Sequence, residues 1–404
     1  MCRACLSRAM SLVAPLGRHP LANAFVAEAD LAQPDATFPL DIWVCQDCAL
    51  LQNPDYVPPG YFHHYLYVPS AADTGRRHFG GLSRWLLDRG LVAPGGRVVD
   101  LGCNDGLFLS GCVALGLKAI GIDPASNLAP LARSKGIEVV EAYFDVAVAE
   151  SVRGRFGAAD VIVSTNTMNH VDDLHTFIHG ARTLLADGGS MVIELPRATE
   201  LVEHNEFDTV YHEHLSQFSV RSLAALYAAF DMEITDVEAI TIHGGSMRVV
   251  AARRGLRTPS PAVAECLEAE RRAGLFEPST YTAFRVRVEE NRERLVRMLA
   301  DLRKQGLKIA GYGAPAKGNT LLNYCGIGPD TCAFLADRST LKHGRYSPGM
   351  RIPVVPPERI ETDAPDVLLV LAWNFFDEIR EQQAAFRARG GRFVVPIPTP
   401  VLTA

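Results

Sequence analysis

Long apolar runs are missing from this 404-residue chain. The most conspicuous one, Val367 to Trp373, falls far short of the ~18 residues a membrane span needs and predicts a buried strand instead. An excess of positive charge is missing too. With 40 Lys and Arg against 46 Asp and Glu, the net charge is −6. There is no broad basic field, so neither nucleic acid nor an anionic membrane is an expected partner. Short-period repeats and low-complexity tracts are absent. Hydrophobic residues at 48% and charged residues at 21% describe an ordinary globular composition, neither disordered nor fibrous. The nine cysteines, an odd count in a long chain, do not describe a disulfide framework. Cys2 leaves no room for a secretory signal before it, so the expected location is cytoplasmic.

Four of the cysteines form two pairs of one spacing, Cys2-Arg-Ala-Cys5 and Cys45-Gln-Asp-Cys48. Two such knuckles can place four thiolates tetrahedrally around Zn²⁺. A shell of four thiolates has no open position, so Cys2, Cys5, Cys45 and Cys48 predict a structural zinc. The 39 residues between the pairs exceed the ~15–20 of short ribbons, so a loop or small sheet must fold between them. The other five cysteines read as small core residues.

After the knuckles the pattern changes to short apolar runs alternating with helical stretches. Arg97–Leu101, Lys118–Asp123, Ile137–Val140, Asp160–Ser164 and Ser190–Leu195 read as strands, with helix over Leu107–Leu115. Such alternation predicts a parallel sheet covered by helices. Thr282–Gln305 is charged and amphipathic, with Phe284, Val288, Leu295, Met298, Leu299 and Leu302 on one side, and predicts a long helix stopped at Gly306. A second α/β unit follows, with strands at Leu307–Gly313 and Val367–Leu371. The fold class is therefore α/β in three parts: a zinc-binding domain over 1–70, a Rossmann-like domain over 71–255 and a second Rossmann-like domain over 256–404. A cleft between two Rossmann-like units is the natural ligand site.

The first of these units opens with Val99-Asp100-Leu101-Gly102-Cys103-Asn104-Asp105-Gly106. Gly102 and Gly106 permit a tight turn and close approach of a ligand to the backbone. The spacing is not G-x-G-x-x-G, which argues against a nicotinamide-dependent reductase. Gly-x-Asn-x-Gly after an acid suits S-adenosylmethionine (SAM), with Asp100 near its ammonium. Asp123, at the end of the second strand, can accept from both ribose hydroxyls. Phe144, after the third strand, marks where the adenine would lie.

In these motifs the chain resembles the sugar C-methyltransferases, which methylate nucleotide-linked ketosugars with SAM. The resemblance spans nearly the whole chain. It rests on the two Cys pairs, the aromatic segment containing Tyr65, the glycine turn, Asn166-Thr167-Met168-Asn169-His170, Tyr211-His212-Glu213-His214-Leu215 and Gly311-Tyr312-Gly313-Ala314-Pro315-Ala316-Lys317-Gly318. It implies a class I SAM-methyltransferase core, and catalytic or sugar-contacting roles for Tyr65, Asn166, His170, Tyr211, Glu213 and His214. Thr167-Met168-Asn169 stands where many relatives carry apolar residues, which bears on the sugar pocket more than on the reaction.

Carbon becomes nucleophilic beside a ketone once a base removes the α proton, so the site needs a base and a group to stabilise the oxyanion. His214 has an imidazole that titrates near working pH. Tyr211, three residues earlier, is the alternative base. His170 is expected to donate to the ketone or enolate oxygen, Asn166 to hold the cofactor or a sugar hydroxyl, and Tyr65 to close the site. Lys317 in the second glycine turn suits a diphosphate, with Arg345, Arg351 and Trp373-Asn374 as further contacts to the nucleotide. The expected reaction is methylation at C3, α to a 4-keto group, by a monomer or weak homo-oligomer. Two rivals are an O- or N-methyltransferase of a small metabolite and a non-catalytic, zinc-stapled protein with a SAM fold.

Overall fold

The structure is a computed structural model that describes residues 1–53, 61–63, 70, 73–241 and 245–404. Tyr65 lies outside the described residues.

Three main sheets organise the described chain. In the seven-stranded sheet, Leu185–Pro196, Ala159–Thr165, Arg97–Leu101, Lys118–Ile122 and Glu138–Val140 run parallel. Ser246–Arg253 and Met232–Ile240 extend it antiparallel at one edge. The parallel strands are continuous runs of Val, Ile and Leu because helices cover both faces. Lys118–Ile122 joins one side of Arg97–Leu101 and Ala159–Thr165 joins the other. This switch point opens a crevice at the carboxyl ends of the strands.

A six-stranded sheet repeats the arrangement, with Leu335–Ala336 and Val367–Val370 flanking Ile309–Tyr312 in parallel. Helix Pro278–Lys304 leads into it. Its buried Tyr281, Phe284, Val288, Leu295, Leu299 and Leu302, with the polar Asn291 between Val288 and Leu295, recur every three or four residues, and each apolar one is worth about 2 kcal/mol of burial. The helix runs a few residues further at its start than its periodicity predicts, because Pro278 seats without strain in the first turn.

The four-stranded sheet is antiparallel, in the order Met10–Pro20, Thr37–Cys45, Leu51–Gln52 and Ser216–Gln217. Its last strand comes from far along the chain, just after His214. The apolar residues of this sheet, among them Leu40, Ile42 and Leu51, share one core with Phe284 and Leu369. Cys2, Cys45 and Cys48 instead join the core beneath the seven-stranded sheet. The N-terminal segment thus braces both α/β units.

Candidate active site

A cleft of about 1180 Å³ runs from the switch point of the seven-stranded sheet to that of the six-stranded sheet. At its first end Arg97–Leu101 stops at Gly102, whose φ is +86°. A Cβ there would sit 2.1 Å from Thr167 Oγ1. Only a residue without a side chain fits, and the backbone is left bare toward the cleft. Asn104, also at positive φ, donates its N–H to Asp123 Oδ2 at 2.8 Å, and Ala125 N–H donates to Asp123 Oδ1 at 2.8 Å. Gly106 begins helix Leu107–Ala114, and a Cβ on it would strike Ile137 Cδ1 at 2.5 Å. Phe144 lines the cleft and meets Phe177 edge-on at 5.4 Å.

Asp100 is buried, and its Oδ1 has no hydrogen-bond partner. Burial first, then the nearby Asp123 and Glu194, push its carboxyl well above the usual range. An acidic pocket of this kind suits a ligand carrying positive charge beside ribose hydroxyls. SAM, with its sulfonium and ammonium, fits that donor and acceptor set, and Asp100, Gly102, Asn104, Gly106 and Asp123 are the residues that would hold it. The Gly102→Ala variant should weaken SAM binding at least ~100-fold by collision with Thr167 and an unfavourable φ. Isothermal titration measures this, and wild-type affinity would place the ligand elsewhere.

The middle of the cleft carries the polar segment Tyr211–His214. His214 N–H closes a turn onto the Tyr211 carbonyl at 2.8 Å, which stacks the two rings at 4.0 Å. Tyr211 Oη lies 2.6 Å from His214 Nε2, and His214 Nδ1 lies 2.9 Å from the Thr209 carbonyl. A carbonyl only accepts, so Nδ1 carries the proton and Nε2 accepts from the tyrosine hydroxyl. His170 packs against His214 with centroids 4.9 Å apart, and its Nδ1–H donates to the Glu213 carbonyl at 2.6 Å. Its Nε2 is left as an acceptor. Burial lowers the His170 pKa to about 4. A neutral ring so arranged does not donate to an enolate oxygen, which corrects that expectation. Glu213 is buried, and its Oε2 accepts from Asn23 Nδ2 at 2.6 Å. His212 is turned away, toward the carbonyls of Phe38 and Pro39, and supports the fold.

The far end repeats the construction of the first. Gly313, at φ +84°, follows strand Ile309–Tyr312, and helix Ala316–Cys325 comes next. Asp337 follows Leu335–Ala336 and accepts from Ala314 N–H at 2.6 Å and Ser339 N–H at 2.7 Å. Lys317 Nζ hydrogen-bonds Asn374 Oδ1 and sits 3.6 Å from the centre of the Trp373 ring. Trp373 Nε1–H donates to buried Asp208 at 2.8 Å. Burial lowers the Lys317 pKa to about 8 against the pull of Asp208 and Glu206. Arg351 is not part of the cleft lining. Its guanidinium is engaged by Asp35 at 2.7 Å and the Gln33 carbonyl at 2.8 Å, so this predicted nucleotide contact is a tie within the fold. Arg345 is likewise absent from the lining.

Glu206, which spacing did not single out, lines the cleft beside Lys317. Burial and then Asp208 push its carboxyl up to about 8. The folded state holds that proton more tightly than the unfolded chain. Stability is therefore full below the ordinary Glu range and falls as pH rises through 8. The Glu206→Gln variant should gain on the wild type as pH rises, by up to about 5 kcal/mol at alkaline pH and almost nothing at acid pH. Calorimetry at the two ends of that range checks this, and a gap independent of pH would refute it.

Outside the cleft, the Sγ atoms of Cys2, Cys5, Cys45 and Cys48 all lie within 4.8 Å of one another. The Cys2–Cys48 and Cys5–Cys45 pairs are 3.5 Å apart. Tetrahedral Zn–S bonds of ~2.3 Å need sulfurs separated by just under ~4 Å, so the set fits. Four close thiols cannot all ionise without a cation between them, and Zn²⁺ supplies it.

A parallel sheet with this glycine turn and acid, joined to a four-cysteine knuckle, defines a SAM-dependent methyltransferase with a structural zinc. Comparison with known proteins carries the assignment further. Three family models match in succession: a zinc binding domain over residues 2–62, a methyltransferase domain over 76–237 and a C-methyltransferase C-terminal domain over 241–398. C-methyltransferase NovU of Streptomyces niveus is 37% identical over 401 residues, 99% of this chain and 96% of that protein. The chain belongs to this family of C-methyltransferases. The mitochondrial ubiquinone biosynthesis O-methyltransferase of Rattus norvegicus is 29% identical over 119 residues, 28% of this chain and 34% of that protein. Among solved structures, magnesium protoporphyrin IX methyltransferase of Synechocystis PCC 6803 covers 44% of this chain and 82% of its own at 15% identity, with a TM-score of 0.34, too low to carry an argument. Among the described residues no helix is long and apolar enough to cross a membrane.

Proposed function

We propose that the enzyme deprotonates and methylates the carbon α to the ketone, C3, of a nucleotide-diphosphate 4-keto-sugar. The observation that carries this reading is the Tyr211–His214 pair, 2.6 Å apart in the middle of a cleft whose two ends share one construction. His214 Nδ1–H is held on the Thr209 carbonyl, so Nε2 can take the Tyr211 proton, and the phenolate oxygen then removes the α proton. The base is thus Tyr211, with His214 behind it. His170 Nε2 accepts from a sugar hydroxyl, and the Asn166 carboxamide donates to the enolate oxygen. Glu213, fixed by Asn23, orients the turn that carries the pair. SAM supplies an electrophilic methyl group when bound. Residues 71–255 hold that cofactor. Residues 256–404 hold the nucleotide, with Asp337 accepting from its pentose and Lys317 and Asn374 near the diphosphate. Residues 1–70 hold the zinc.

The test incubates the enzyme with TDP-, CDP- and GDP-linked 4-keto-sugars in D₂O, with and without SAM, followed by mass spectrometry and NMR. The expected result is deuterium exchange at C3 and, with SAM, a product heavier by one methylene on that carbon. A product methylated on oxygen or nitrogen, with no exchange, would replace this reading by its rival.

A further inference from the structure

Arg3 stands between the cysteines of the first knuckle, and its side chain is 10% exposed. Its backbone N–H donates to Gln52 Oε1 at 2.9 Å. Its guanidinium donates to the Asn53 carbonyl at 2.6 Å and to Asp172 Oδ1 at 3.0 Å. Both partners lead directly to the reacting rings. Asn53 N–H donates at 3.0 Å to the carbonyl of Leu215, the neighbour of His214. Asp172 is two residues beyond His170 and lines the cleft. A further tie runs beside it, from the His175 ring to the Ala4 carbonyl at 2.9 Å. The segments carrying His170 and His214 therefore both hang on the metal knuckle.

We propose that Arg3 is a positioning residue that transmits the geometry of the zinc knuckle to His170 and His214. The planar guanidinium suits this task, because its rigid fork fixes two partners on different segments at once. Displacing a reacting group by ~1 Å costs about 100-fold in rate. The proposal rests on the reading that these imidazoles act on substrate.

The experiment uses full-length, zinc-loaded Arg3→Met and Arg3→Lys, with Asp172→Ala as a second route to the same link. Zinc content, SAM affinity, KM and kcat for a ketosugar that the wild type accepts, and the imidazole NMR signals of His170 and His214 are measured. Arg3→Met should keep its zinc, its SAM affinity and its KM. It should lose about 30-fold in kcat and shift both imidazole signals. Arg3→Lys should recover only part of the rate, and combining Arg3→Met with Asp172→Ala should add little. Wild-type kcat with unmoved imidazole signals would overturn the proposal. So would loss of zinc from Arg3→Met, which would make Arg3 part of the metal site alone. If the wild type turns over no ketosugar, the functional reading fails, whereas the imidazole signals still decide whether Arg3 positions the rings.

Discussion

Replacing Tyr211 by Phe should lower kcat about 10³-fold while leaving SAM affinity unchanged. The variant keeps the ring that stacks on His214 at 4.0 Å and deletes only the hydroxyl that Nε2 accepts. His214→Asn should fall nearly as far, because the phenol then has no imidazole to take its proton. The double variant should be little worse than either, since the two residues act as one proton path. Deuterium exchange at C3 measured without SAM isolates proton removal from methyl transfer. Normal exchange in Tyr211→Phe would exclude the phenol as base and return that role to His214.

The second large effect concerns the metal. Cys48→Ser should lose zinc and destabilise the N-terminal segment by at least about 4 kcal/mol, a fall on the order of 10 °C in its melting transition. The four sulfurs lie within 4.8 Å of one another and anchor the four-stranded sheet. Zinc binding free energy of this kind is folding free energy, because the unfolded chain presents no preformed shell. The loss should spread to turnover, since Ser216–Gln217 is the last strand of the same sheet and begins two residues after His214. Calorimetry with zinc analysis reads the first effect and kcat the second. Unchanged melting in a zinc-free variant would reduce the cluster to buried thiols.

The parallel strands were legible because strands buried on both faces are unbroken apolar runs ended by glycine. Arg97–Leu101 falls on the residues its pattern marks out. The N-terminal sheet was not legible. Met10–Pro20 contains Pro15, Gly17 and Pro20 and tolerates them through irregularities between Leu12 and Ala14 and between Pro15 and Arg18. Breakers that normally signal a loop therefore sit inside a strand. At the site, Tyr211 and His214 could be paired from spacing. Asn23 could not, because it reaches Glu213 across 190 positions. His170 shows a subtler limit, since its tautomer is decided by a carbonyl that no motif records. Arg351 shows the reverse error: a cation in a plausible stretch whose charge is already matched by Asp35. Asp337 did leave a signal, an acid just after the second strand of its unit, as Asp123 is in the first.

Those two aspartates carry a consequence for binding kinetics. Each carboxylate is clamped at both oxygens by backbone amides, one from the neighbouring glycine turn and one from its own loop: Asp123 by Asn104 and Ala125, and Asp337 by Ala314 and Ser339. Under the proposed roles neither must search rotamers to receive a pentose, so little side-chain entropy remains to be lost on capture. Both docking points behave as finished moulds, and association should be governed by diffusion into the crevice, with no slow adjustment of these loops.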